Sequence, residues 1–190
     1  IFPGGIQGRG RRFHSYDWDF IPPALYSYSS HKEADMLATF LRDCGYAAEM
    51  DYKSRGSGAS LDEALKAFCD FFSYSNNIVH KYKYGTANWE QLLKNEIDAQ
   101  RPILYAGYTS SGGHAFVVDG YCGDFFHINW GWGGHYNGTF ALDALTPGGS
   151  DYRSGQVAYV DCVPASELPS VAKVGKYIEC PSLKTAINLV

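Results

Sequence analysis

The 190 residues are 45% apolar and 19% charged, the balance of a globular protein long enough to close one domain around a real core. A net charge of −4 argues against a nucleic-acid binder, and the one basic cluster, Arg9, Arg11 and Arg12, reads as a solvated terminal segment. No apolar run reaches the roughly 18–20 residues that cross a bilayer, so no membrane partner is expected.

Residues 1–28 are glycine-rich, then aromatic, with a Pro22-Pro23 stop, and read as extended irregular chain. Ser30 and Glu33 form a capping box, and Ala34, Leu37, Ala38 and Leu41 follow at helical spacing, which predicts a helix over 31–44 with Gly45 just past its end. Residues 47–52 read as a short strand or extended piece, and 53–60 as a flexible loop. Ser60 and Glu63 repeat the box, and Leu61, Leu65, Phe68 and Phe72 give a second helix its apolar stripe. A third helix starts near Asn88, buries Trp89, Leu92, Leu93 and Ile97, and ends before Pro102.

Beyond Pro102 the period turns strand-like. "ILYAGY", "HAFVVDGY", "DFFHINW", "TFALDAL" and "QVAYVDCV" are short apolar runs between glycine turns, which predicts an antiparallel sheet of about five strands. Helices first and strands after is the α+β arrangement. Residues 1–163 are thus expected to form one domain, and 164–190 an extension or the start of a further domain.

His114 opens one of these strands directly after Gly112-Gly113. Glycines there let a backbone or a substrate approach closely, and histidine can move a proton near neutral pH. The next strand carries Asn129, Trp130 and Trp132 among several glycines. A catalytic imidazole needs its second nitrogen held in one tautomer; Asn can accept that hydrogen bond and Trp can shield the pair from water. His114, Asn129 and Trp130 are therefore the expected catalytic group, and Gly112, Gly113 and Trp132 the expected substrate-binding residues. His114, His127 and His135 lack an HxxxH or HExxH spacing, so neither a metal nor another cofactor is expected. Asn137-Gly138-Thr139 reads as a turn, and Asp119 and Asp143 as turn caps or solvent-facing groups.

The blocks "GGHAFVVDGY", "FFHINWGWGG" and "GTFALDALTP" resemble the streptopain family of bacterial cysteine peptidases. "LRDCGYAAEMDY", "GSGASLDEALKAFCDFF" and "WEQLLKNEIDAQRPILYAGYTSSGGHAF" extend the resemblance over roughly residues 1–163. It implies a papain-like fold, a Cys–His dyad that hydrolyses peptide bonds through an acyl-enzyme, a peptide or protein substrate, and secretion or export to the cell envelope. His114 matches the family's catalytic histidine, Trp130 the tryptophan packed against it, and Asn129 its neighbour. Residues 146–155 match a mobile loop beside the cleft.

The family's nucleophile lies in a Gly-Cys-x-Ala-Thr-like turn that opens a long buried helix, and no such segment occurs in these 190 residues. None of Cys44, Cys69, Cys122, Cys162 and Cys180 opens a helix, where the dipole would help hold a thiolate. The sequence thus reads as the histidine-bearing part of such a peptidase, its nucleophile helix expected in a partner segment upstream of Ile1. The alternative is a non-catalytic peptidase-like binding module.

Overall fold

A computed structural model describes residues 16–22, 24–54, 56–164 and the backbone of Lys184–Thr185. The arginines at 9, 11 and 12, Cys180 and most of the expected C-terminal extension lie outside the described residues. The chain divides into two compact units between Asn76 and Asn77.

The first unit is helical. Helix α1 spans His31–Ala47 and α2 spans Leu61–Phe72, each opened by the expected capping box. Ser30 Oγ accepts from Glu33 N at 3.2 Å while Glu33 Oε2 accepts from Ser30 N at 2.6 Å; the Ser60–Glu63 pair repeats this at 3.1 and 3.0 Å. Each reciprocal pair satisfies two N–H groups that a helix start otherwise leaves unpaired. Helix α1 runs past the expected stop at Gly45. That glycine is buried inside the helix, and a Cβ there would stand 1.8 Å from the Tyr52 hydroxyl. Its role is close packing, and the left-handed turn that ends the helix falls at Glu49 (φ 51°), where Met50 N donates to Gly45 O. Residues 47–52 are accordingly not a strand: Asp51 makes one isolated bridge, to Gly58. Tyr16, Trp18, Phe40 and Phe72 meet edge to face at 5.2–6.2 Å, contacts that add about 0.5–1.5 kcal/mol each beyond the area they bury.

The second unit is a helix on an antiparallel sheet. Its strands are β1 (Val79–Tyr82), β2 (Ile103–Tyr108), β3 (Gly113–Cys122), β4 (Phe125–Asn129), β5 (Gly138–Phe140) and β6 (Ser154–Val160), arranged β1-β6-β2-β3-β4-β5. A two-residue β7, Lys184–Thr185, pairs with β3 at Gly120–Tyr121. The α+β class is as expected, with two departures. Strand β1 precedes the third helix; its four residues, Val-His-Lys-Tyr, are all exposed, so no apolar alternation marks it. Strand β5 stops at Phe140, and the chain beyond it turns away to bury Leu142 and Leu145.

Helix α3 (Trp89–Asp98) puts Trp89, Leu93 and Ile97 on one face at the four-residue spacing of adjacent turns. They join Tyr105, Phe116, Val118, Phe126, Ile128 and Trp130 in one core. Alternation in β3 buries Phe116 and Val118 on the face that His114 shares. Between Val118 and Gly120 the β3–β4 register slips by one residue. Asp119, the extra residue of this bulge, is 2% exposed and bonds His127 Nδ1 at 2.5 Å. It is neither a turn cap nor a solvent-facing group, because the bulge turns its side chain into the protein. No helix among the described residues is long and apolar enough to cross a membrane.

Candidate active site

His114 lies at the start of β3, opposite Gly107 of β2. Its Nε2 is 2.8 Å from the main-chain oxygen of Trp130. A carbonyl only accepts, so Nε2 carries the proton and Nδ1 is left with its lone pair. The ring stacks on Trp132 at 4.6 Å and 26°, with Trp130 near-parallel at 6.2 Å and Tyr152 at 5.5 Å. One tautomer and one ring plane are thereby fixed, the first requirement for a directed proton acceptor.

The Trp130 carbonyl is held in turn by the chain around it. Trp130 N donates to Asn137 Oδ1 and Gly131 N to Asn129 Oδ1, both at 2.9 Å. Gly131 has φ 74°, a conformation that a side chain disfavours and that starts the turn carrying Trp132 back to the imidazole. The hydrogen bond expected at the Asn129 side chain thus falls to the main chain of Trp130. Trp130 supplies the acceptor through its main chain, and Asn129 pins the turn on which that acceptor sits. The tryptophan in closest stacking contact is Trp132. The Trp130 ring is fully buried in the core, and its indole N–H has no hydrogen-bond partner among the described residues.

The two glycines before His114 have separate roles. Gly112 O accepts from Thr109 N at 2.7 Å and from Thr109 Oγ1 at 2.9 Å, closing the β2–β3 turn. Gly113 leaves room for the Tyr108 ring, which a Cβ would meet at 2.6 Å. Beside this turn is an open recess of about 450 Å³ lined by Thr109, Ser110, Ser111, Gly149, Ser150, Asp151 and Ser154.

Sequence reasoning missed Gly107, Asn137 and Tyr152. A Cβ on Gly107 would lie 2.0 Å from the Tyr152 carbonyl oxygen, so this glycine lets the loop that carries Tyr152 settle on β2 beside His114. A glycine inside a strand pattern is itself a signal of close backbone approach. Tyr152, 38 residues downstream, carries no such local signal; the family resemblance places its loop, 146–155, beside the cleft without singling it out.

None of the described cysteines is placed to serve His114 from within this sheet. Cys122 ends β3 eight residues from His114, about 26 Å along an extended strand. Cys162 follows the end of β6 that pairs with the Ile103 end of β2, again away from His114. In the first unit, burial and then Asp43 push the Cys44 thiol up to about 12, and burial and then Asp70 raise Cys69. Raised thiols are poor nucleophiles because little thiolate is present.

The Peptidase C10 family model matches residues 7–140. The chain is 34% identical over 168 residues to the thiol protease/hemagglutinin PrtT of Porphyromonas gingivalis, and 33% identical over 135 residues to streptopain of Streptococcus pyogenes. Those matches cover 83% and 70% of this chain but only 19% and 34% of the relatives' length. Among solved structures, the active wild-type interpain A cysteine protease of Prevotella intermedia superposes with TM-score 0.70 at 27% identity, covering 77% of this chain and 64% of that one. A prointerpain A fragment from the same organism, carrying a cysteine-to-alanine mutation, gives TM-score 0.65 at 26% identity, covering 77% and 48%. The papain-like α+β fold is shared with these proteases. On the family match and the identity to streptopain together, the chain belongs to the Peptidase C10 family.

Proposed function

We propose that this chain is the histidine-bearing part of a streptopain-like cysteine endopeptidase, in which His114 is the general base and the nucleophilic cysteine lies upstream of Ile1. The observation that carries this reading is the 2.8 Å bond from His114 Nε2 to the Trp130 carbonyl, which leaves Nδ1 as the proton acceptor. In the proposed cycle Nδ1 takes the thiol proton, and the thiolate attacks the scissile carbonyl carbon. As the tetrahedral adduct collapses to an acyl-enzyme, the C–N bond breaks and Nδ1–H gives its proton to the leaving amine. Nδ1 then deprotonates water, whose hydroxide attacks the thioester; the C–S bond breaks, the acid leaves, and Nδ1–H returns its proton to the thiolate. Asn129 and Trp130 position the base. Trp132 covers the imidazole face, and with Gly112 and Gly113 at the β2–β3 turn it borders the bound peptide.

The family supports peptide or protein substrates and an exported protease; in this reading residues 1–163 are the peptidase portion and 164–190 an extension or the start of a further domain. His114→Asn in the intact protease tests the reading. Loss of a general base predicts a fall in peptide hydrolysis of about 10²–10⁴-fold, measured on a fluorogenic peptide at equal concentrations of folded protein. Hydrolysis within twofold of wild type would show that His114 is not the base. Peptide binding without turnover by the wild-type protein would favour a binding module.

A further inference from the structure

Gln156 is a buried amide in β6, 4% exposed, with both ends of its side chain engaged. Its Nε2 donates to Leu142 O at 2.8 Å and to Arg153 O at 2.9 Å. Its Oε1 accepts from the Tyr105 hydroxyl at 2.6 Å, and that hydroxyl accepts from Trp89 Nε1 at 3.0 Å. An indole N–H can only donate, so the Tyr105 proton has to point at Gln156, which fixes the amide with its NH₂ toward the two carbonyls. Those carbonyls are the two ends of the loop 142–153. Two further rungs cross the same neck: Tyr152 N to Leu145 O at 2.9 Å, and Arg153 Nη1 to Asp143 O at 3.3 Å. The tip of this loop, Gly149 to Asp151, forms one wall of the recess opposite residues 109–111.

We propose that Gln156 is a positioning residue for peptide binding: one amide clasps the neck of the 142–153 loop and sets the wall of the recess at the β2–β3 turn, the turn from which the strand of His114 starts. The hydrogen bond from His114 to the Trp130 carbonyl and its 4.6 Å stack on Trp132 are made outside the 142–153 loop; the looser ring contact with Tyr152, at 5.5 Å, is the one that comes from it. Loosening the clasp therefore loosens the wall and leaves the hydrogen bond of the base and its stack on Trp132 in place. This inference rests on the peptidase reading above.

The test is Gln156→Met in the intact protease, which keeps the side-chain volume and removes both donors. Active-site titration first normalises for competent enzyme. Loss of two neutral hydrogen bonds at the neck predicts a KM for an extended peptide about three- to tenfold higher, with kcat changed less than about twofold. The rate at which iodoacetamide alkylates the nucleophile, which senses the dyad and not the wall, stays at the wild-type value. Tyr105→Phe removes the hydroxyl that orders the amide and gives a smaller KM rise in the same direction; it serves if Gln156→Met does not fold. A lower melting temperature with wild-type KM per titrated site assigns Gln156 to stability alone and overturns the proposal. So does an equal loss in kcat and alkylation rate. Failure of the peptidase reading is read separately, as wild-type alkylation in His114→Asn.

Discussion

His114 and His127 make opposite use of one side chain. His114 gives its proton to a neutral carbonyl, which fixes the tautomer and adds no formal charge. His127 bonds a buried carboxylate, and the hydrogen bond it donates to Asp119 raises its pKa above 6.5 against the opposing effect of burial. A histidine raised on folding stabilises the native state fully below its unfolded value, about 6.5, and loses that contribution as pH climbs through the folded value. His127→Gln should therefore destabilise the protein more at pH 6 than at pH 9. Thermal melts of both proteins at the two values check this, and an equal loss at both would exclude a charged His127–Asp119 pair.

The elements are organised by how closely their backbones can approach. Strand β2 admits the Tyr152 carbonyl only because residue 107 has no side chain. Gly107→Ala must push β2 and the 142–153 loop apart, a cost of about 1–3 kcal/mol for overpacking of this kind. Gly138→Ala in β5 meets nothing within 4 Å and is the control. Chemical denaturation should separate the two, with Gly138→Ala within about 0.5 kcal/mol of wild type. Indistinguishable midpoints would mean that the loop does not rest on β2. Gly45 carries the same lesson. A glycine near a helix end suggests a stop, yet here it seats Tyr52 inside the helix, and only the neighbour tells the two roles apart.

For the whole molecule, the reading turns on which cysteine serves His114. Cys122 and Cys162 sit at the far end of the sheet, and Cys44 and Cys69 carry raised thiols. A peptidyl epoxide added to the intact protease should label one cysteine upstream of Ile1, located by peptide mass mapping. Labelling at any of these four or at Cys180 would place the nucleophile inside the chain and overturn the upstream proposal. The sequence by itself determined both capping boxes, the α3 stripe and the antiparallel strands after Pro102, though not β1, because each is written in side chains a few residues apart. It also determined His114 with Asn129 and Trp130, which one hairpin brings together. The tertiary structure alone decided that a main-chain carbonyl orients the imidazole, that Trp132 stacks on it, and that Tyr152 packs beside it on a loop whose neck Gln156 ties. Main-chain atoms have no letter in a sequence. A contact spanning roughly 40 residues is set by sheet order and packing, which local periodicity does not encode.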